Sequence, residues 1–471
     1  MTANRPTTGA AALAKRVADL ASALVIAGRL SAHDRWTPEQ LARHQREAVL
    51  TRVRHAARHS PFYAELYAGL DLGDDLDLGT LPITGKTSIM DNFDRVVTDR
   101  RLNLADAEEY LATLEGDSYH LGRYRMLATT GTSGRRGVFI YDRPAWSVVL
   151  ANTLRWQRTL GIRPRLPRRV AIASIGADDP THVSCRIPAS GDVGLFRTKH
   201  LSATMPIDRL AAELQAFRPD VVLAYPSVAA LLAAKQREGR LAIHPRLIST
   251  HSETLTRDMA RQIEEIWGLT PFDHYGLSEE PHLAWECPHH NGMHVFSDLA
   301  YIEVVDDQHR PLPPGEVGRF LLTNLYNATQ PLIRYEITDM LALSAEPCTC
   351  GRPFPVIQHM AGRMEDVLYL QSPGGRPVAI LPAVFAFALE SFAEVREYRV
   401  EHSPDAIRLS VVMQAGSDEA GLRRALARKV RQVVENQGAP CPPISVTLTD
   451  RFDRAAGAMG KHKLIESVAA G

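Results

Sequence analysis

Between Leu13 and Tyr67 apolar residues recur at helical spacing with charged residues on the outer faces, and the run ends at the turn-prone HSPFYAELY. That periodicity predicts a helical lead-in packed on something larger. From about Arg125 the pattern changes. Short apolar runs such as VAIASI and VVLAY alternate with helical stretches such as IDRLAAELQAF and SVAALLAAKQREG. This alternation is that of a parallel sheet covered by helices. After Gly292 the chain turns to strand-like runs, HVFSDLAYIEVVDD and PLPPGEVGRFLLTNL, punctuated by Pro and Gly. They predict a β-rich subdomain. Beyond AGRMED come strand-like VREYRVEHS and AIRLSVVMQ, a basic helix LRRALARKVRQVVENQ and strand-like ISVTLT. That order predicts a small α+β domain of the usual size. The expected fold class is α/β, with a large domain over residues 1–361, its helical lead-in over about 1–120, and a small domain over 362–471.

Composition narrows the function. The chain has 471 residues, 45% hydrophobic and 23% charged, which fits a globular protein of more than one unit. Lys plus Arg number 54 and Asp plus Glu number 54. Such a balance argues against nucleic acid or an anionic membrane as the main partner. The run LASALVIAG is too short to span a bilayer and reads as part of an amphipathic helix, with a signal peptide as the rival reading. Five cysteines at uneven spacing do not make a secreted disulfide framework, and the expected location is cytoplasmic.

Two segments invite a nucleotide-loop reading. GTLPITGKTS contains Gly85-Lys86-Thr87, but a P-loop needs a glycine where Thr80 stands, so it is set aside as a Walker-type loop. The second is Thr129-Thr130-Gly131-Thr132-Ser133-Gly134-Arg135-Arg136-Gly137, followed by the strand VFIY. Glycines let backbone N–H groups approach an anion, hydroxyls add donors, and arginines add charge-assisted bonds to phosphate oxygens. A hairpin turn explains the loop equally well when it is taken alone.

Four further segments follow it in order, and together they carry a family resemblance. The loop resembles the phosphate loop of adenylate-forming enzymes. His274-Tyr275-Gly276-Leu277-Ser278-Glu279 resembles the family's Tyr-Gly-x-Ser/Thr-Glu, and Pro331-Leu332-Ile333-Arg334-Tyr335-Glu336-Ile337-Thr338-Asp339 its Pro-Leu-Ile-Arg-Tyr-Arg-x-Gly-Asp. Gly362-Arg363-Met364-Glu365-Asp366 resembles its Gly-Arg-x-Asp-Asp, and Gly460-Lys461 its terminal Gly-Lys. SPFY at 60–63, LPITGK at 81–86 and YPS at 225–227 are similar to segments of the phenylacetate-CoA ligase-like branch.

The resemblance implies stacked sheets flanked by helices in the large domain and a mobile small domain acting as a lid. It also implies a reaction: ATP-dependent activation of a carboxylic acid to an acyl-adenylate, then transfer to coenzyme A, with an aryl or arylacetic acid favoured. Thr130, Gly131, Thr132, Ser133, Gly134 and Arg135 would hold the β- and γ-phosphates, with Arg135 where the family has lysine. Tyr275 would lie against adenine, with Gly276 in the same nucleotide-binding set, Ser278 would contact the α-phosphate, and Glu279 would bind Mg²⁺. Asp339 would accept from the ribose hydroxyls, and Arg334 would line the same pocket. Arg363 would stand near the phosphates, with Glu365 at the hinge. Ser252 and Glu253 stand where the family usually has Gly-Glu or Ala-Glu and join the nucleotide-binding set on that match. Lys461, with Lys463 as rival, would stabilise the charge that develops as the carboxylate attacks. The acid pocket would draw on segments 183–190, 225–227 and 251–253.

The branch also shows a Cys, Gly-x-His and Cys-x-Cys-Gly-Arg arrangement, matched here by ECPHHNGMH and CTCGR. Cys287, His294, Cys348 and Cys350 are the preferred quartet for structural zinc, with His289 or His290 as substitutes and reduced buried thiols as the other reading. The ATP motifs do not fix the acceptor. A carrier-protein thiol, an amine, adenylylation of a small molecule and a non-catalytic nucleotide-binding relative stay open, as does a homodimer.

Overall fold

The computed structural model describes residues 9–129, 136–165, 167–253, 255, 257–306, 308–360, 368–380, 384–385, 388–389, 391–392, 394–403, 405–413, 418–449 and 465–467. The lead-in is helical. The Ala-rich α1 (Gly9–His33) is followed by α2 (Pro38–His59), which Thr37 opens with a capping box to Gln40 and a proline in the first turn. Four short helices come next: α3 (Pro61–Leu66), α4 (Lys86–Asp91), α5 (Phe93–Val96) and α6 (Leu104–Ala112).

Charge pairs tie α1 to the body. Asp19, 2% exposed, accepts from Arg125 at 3.0 Å and from Arg143 at 2.8 Å, while Arg125 also meets Asp117 at 2.8 Å. Buried charges of this kind persist only when fully paired, so they fix where α1 sits. Arg125 and Arg143 belong to β1 (Tyr124–Ala128) and α7 (Arg143–Thr159), and a hairpin joins β1 to β2 (Val138–Asp142).

The main sheet has eleven strands. Its parallel part comprises β3 (Ala171–Gly176), β4 (Arg197–Ser202), β5 (Val221–Ala224), β6 (Leu247–His251) and β7 (Phe272–Tyr275), in the spatial order 4-3-5-6-7. Chain order reverses between β3 and β5. The helix α8 (Val183–Gly191) after β3 covers one face, while α9 (Ile207–Phe217) and α10 (Pro226–Arg237) cover the other. In open α/β sheets such a switch point opens a crevice at the carboxyl ends of the strands.

Antiparallel strands extend the sheet beyond β7: β8 (Ala284–Glu286), β9 (Met293–Val295), β10 (Ala300–Val305), β11 (Gly318–Asn324), β12 (Tyr335–Leu343) and β13 (Val356–Met360), in the order 10-11-12-13-9-8-7. In a flat sheet β7 and β12, four places apart, would be ~19 Å from each other. Instead the Tyr275 hydroxyl of β7 lies 2.8 Å from Asp339 of β12. The β-rich part therefore curls back on itself, and this brings two distant motifs together.

Towards the C-terminus a hairpin, Leu368–Gln371 with Pro377–Ile380, precedes a four-stranded sheet of Val395–Ser403, Ala406–Met413, Ile444–Thr449 and Ile465–Ser467. The helix Glu419–Glu435 buries Leu422, Leu426, Val430 and Val434, one apolar stripe, against that sheet. The boundary expected at 361/362 falls outside the described residues. Among the described residues no helix is long and apolar enough to cross a membrane.

Candidate active site

The glycine loop hangs from the β1–β2 hairpin. Thr129 N–H donates to the Gly137 carbonyl at 2.9 Å, and Gly137 N–H to Thr129 Oγ1 at 2.8 Å, so the two ends of the loop are tied. Arg136 donates to Thr181 Oγ1 at 3.0 Å, and Ala128 N–H to the Thr181 carbonyl at 3.0 Å. Thr130, Gly131, Thr132, Ser133, Gly134 and Arg135 lie outside the described residues, as do Arg363, Glu365 and Lys461. A Cβ on Gly137 would fall 2.8 Å from the Phe139 ring and 3.1 Å from Lys86 Cε. Lys86, from the segment set aside as a Walker-type loop, thus stands at the base of the other loop. Motif spacing could not show this, because the contact depends on how the lead-in folds back.

The second motif forms a tight return after β7. Leu277 N–H donates to the Glu280 carbonyl and Leu283 N–H to the Tyr275 carbonyl. Gly276 is required there, since a Cβ would sit 2.1 Å from the Pro281 carbonyl oxygen. Ser278 and Glu279 are buried beside this turn. The Tyr141 hydroxyl donates to the Ser278 carbonyl at 2.7 Å, and the Tyr335 hydroxyl faces Glu279 Oε1 at 3.4 Å. The neighbouring Glu280 accepts from Asn324 at 2.7 Å and Tyr326 at 2.9 Å. Burial pushes its carboxyl well above the usual range.

The third motif meets the second directly. Tyr275 donates its hydroxyl to Asp339 Oδ2, pairing an aromatic face with a carboxylate at one place. Arg334 points elsewhere. Its backbone is left-handed at φ 44°, its guanidinium pairs with Glu303 at 3.1 Å, and its Nη1 donates to the carbonyls of Gly79 and Leu81 at 2.7 and 2.6 Å. A guanidinium this buried needs such partners, and here it pins the 79–81 segment. Glu336, where the family has arginine, pairs with Arg319 at 2.7 Å and His309 at 3.0 Å.

At the end of β6, Ser252 adopts a left-handed φ of 69°, and its hydroxyl meets His251 Nδ1 at 3.0 Å. Glu253 accepts from Ser227 N–H at 3.2 Å, which joins two of the segments assigned to the acid pocket, and burial raises its carboxyl. Next to them lies a histidine cluster that the sequence reading missed. His274 Nε2 is 2.8 Å from His282 Nδ1, and His282 Nε2 is 2.7 Å from Thr153 Oγ1. Burial lowers His251 to about 3, His282 and His182 to about 4, and His274 well below its ordinary value. These rings are therefore neutral.

Beside them opens a cavity of about 910 Å³ between the sheet and the helices α1, α7 and α8. Segment 183–190 supplies part of its roof, and His251 and Ser252 part of one end. Tyr225 to Ser227 do not line it, whereas Leu223 does.

The cysteine segments also converge. The ligand atoms of Cys287, His294, Cys348 and Cys350 all lie within 4.8 Å of one another, with Cys287 Sγ 3.8 Å from Cys348 Sγ and Cys350 Sγ 3.4 Å from His294 Nε2. Zn–S bonds of ~2.3 Å give a tetrahedral S–S edge of about 3.8 Å, which this geometry meets. Burial lowers His294 to about 4, the neutral form a metal ligand requires. His289 instead bonds Thr349, and His290 pairs with Glu286.

No family model matches the chain. Curated relatives do. A phenylacetate-coenzyme A ligase of Thermus thermophilus is 26% identical over 438 residues, covering 84% of this chain and 91% of that protein. One from Pseudomonas putida is 27% identical, covering 80% and 83%, and one from Escherichia coli is 26% identical, covering 71% and 73%. Among solved structures, 2-hydroxyisobutyryl-CoA ligase in the thioesterification state superposes with a TM-score of 0.61 at 20% identity, over 92% of this chain and 91% of that one. Its postadenylation state gives 0.58 over 93% and 91%. The fold is thus shared with that ligase along nearly the whole chain. Over most of its length the chain is similar to the phenylacetate-CoA ligases and shares the fold of a solved acyl-CoA ligase.

Proposed function

We propose that this protein is an ATP-dependent carboxylate-activating ligase that forms an acyl-adenylate and passes the acyl group to coenzyme A. The observation that carries it is the meeting of Tyr275 with Asp339 beside the buried Glu279, a junction of two motifs 64 residues apart. The curated relatives, all acid-CoA ligases by name, supply the reaction class.

A carboxylate oxygen attacks the α-phosphorus of ATP and pyrophosphate leaves. The thiol then attacks the acyl carbon and AMP leaves with that oxygen. Both steps need charge neutralised and reactants held in line more than they need a covalent catalyst. Tyr275 offers its ring face to adenine and Asp339 accepts from ribose, with the Tyr275–Asp339 bond fixing both. Thr130 to Arg135 wrap the leaving phosphates, and Lys86 adds positive charge at the loop's base. Glu279 holds Mg²⁺, which neutralises phosphate charge. Ser252, Glu253, Ser278 and Arg363 complete the nucleotide set, and Lys461 stabilises charge on the attacking carboxylate and the α-phosphate. Cys287, His294, Cys348 and Cys350 hold zinc, which pins the turn before β9 to the segment before β13.

The test is pyrophosphate release from ATP and Mg²⁺ across a panel of carboxylic acids, followed by mass spectrometry after coenzyme A is added. Acid-dependent release with a new acyl-CoA is the expected result. Failure to release pyrophosphate with any acid class contradicts the reading.

A further inference from the structure

The cavity lies on one registered face of the parallel sheet. Side chains alternate along a strand, so Ile172 and Ser174 of β3 point to the same face. Ile172 pairs in register with Thr198, and Ser174 with His200 and Leu223. Leu223 pairs with Ser249, and His251 with His274. All of these residues line the cavity. The opposite face of the same strands presents Ala173, Ile175, Val222, Ala224 and Ile248 to α9 and α10 as ordinary core. One face is thus apolar and filled, while the other carries serine, threonine and histidine under open space.

The dimensions follow from the register. Three rows, from Ile172 through Ser174 to His251, are two steps of two residues each and make a floor ~13 Å deep. The floor crosses five strands, ~19 Å. A single-ring arylacetate has about ten non-hydrogen atoms and fills roughly 300 Å³ at the ~30 Å³ that a water occupies. The cavity holds about 910 Å³, at the upper end for a drug-sized ligand. It also reaches solvent, since Leu24 and Leu195, 51% and 47% exposed, both line it. The row of His251 and His274 lies at the strand ends, next to Ser252 and Gly276, where the carboxylate must meet the nucleotide. The row of Ser174, His200 and Ser249 lies ~7 Å further in.

Resting on the activity proposed above, we propose that the acid is bulky and largely apolar, of linked- or fused-ring size, and bears an uncharged hydroxyl or carbonyl group about 7 Å from its carboxylate. The apolar roof of α1, α7 and α8 covers its body, and the Ser174, His200 and Ser249 row receives the oxygen function. A tail longer than the cavity leaves past Leu24 and Leu195.

The experiment compares kcat/KM for pyrophosphate release with phenylacetate, a biphenyl- or naphthyl-acetate, and a hydroxylated member of that bulky pair. Bulky acids are expected to exceed phenylacetate by at least ~tenfold, and the hydroxylated acid to exceed its parent by about fivefold. Leu223→Phe, or Leu154→Phe if the first variant does not fold, should lower the bulky-to-phenylacetate ratio by about tenfold. Phenylacetate turned over as well as every bulky acid overturns the size inference and leaves the ligase reading standing. No gain from the hydroxyl overturns the polar-row inference. No release with any acid overturns the ligase reading itself.

Discussion

Tyr275 and Asp339 do their work as a pair. The hydroxyl of Tyr275 holds one oxygen of Asp339 at 2.8 Å, and in the proposed function this bond orients the carboxylate for a diol and the ring for a base. Tyr275→Phe keeps the ring and removes that bond to a charged group, a contact usually contributing about 1.5–3 kcal/mol. The expected outcome is a rise of roughly tenfold or more in the KM for ATP, with the KM for the acid little changed. Steady-state kinetics in both substrates checks this, and an unchanged KM for ATP would show that the pair lies away from the nucleotide. Gly276 illustrates what a sequence motif encodes: its hydrogen is all that fits beneath the Pro281 carbonyl. Arg334 comes from the same motif as Asp339, which by resemblance makes it a pocket-lining arginine; its guanidinium bonds Glu303 and the carbonyls of Gly79 and Leu81.

At the scale of elements, two clusters make separate predictions. The histidines sit on β6, β7 and the turn after it, held neutral by burial. Their folded pKa lies below the unfolded ~6.5, so the unfolded chain binds more protons and stability falls as pH drops below ~6.5 toward 4. Asp273, which burial raises to about 7, acts in the other direction, because its folded form keeps a proton that the unfolded form sheds as pH rises from ~4 to 7. His282→Gln isolates the histidine part. Wild type should lose stability more steeply than this variant between pH 6.5 and 4.5, by up to about 1.4 kcal/mol per pH unit. Equal slopes in urea titrations at several pH values would contradict the assignment. The cysteine quartet predicts zinc at one per chain by elemental analysis, lost in Cys350→Ser together with a lower melting temperature. Protein purified without chelators and free of metal would contradict that prediction.

Much of the architecture at this scale was legible in the sequence. The alternation of VAIASI and VVLAY with amphipathic helices shows in the parallel strands, and the Pro- and Gly-broken runs after Gly292 show in the antiparallel ones. The cavity was harder to read. Its signal is Thr198 and His200 of β4 and Ser249 and His251 of β6 at alternate positions, with Ser174 of β3 between them, which only the pairing register turns into one surface. Lys86 at the base of the glycine loop was invisible for the same reason, since proximity across a fold-back leaves no spacing to read.

For the whole molecule, the curled antiparallel strands, the parallel sheet with its switch point and the helical lead-in converge on one crevice. Curling brings Asp339 to Tyr275, the switch point opens the cavity beside them, and the buried pairs of Asp19 hold α1 as one wall. All three arrangements serve one central claim: that the carboxylate oxygen itself attacks the α-phosphate. The direct test is to supply the best acid of the panel with both carboxylate oxygens as ¹⁸O, together with ATP and coenzyme A, and to weigh the AMP released. AMP carrying a single ¹⁸O is the predicted result. Unlabelled AMP, or ADP with label in inorganic phosphate, would contradict the account.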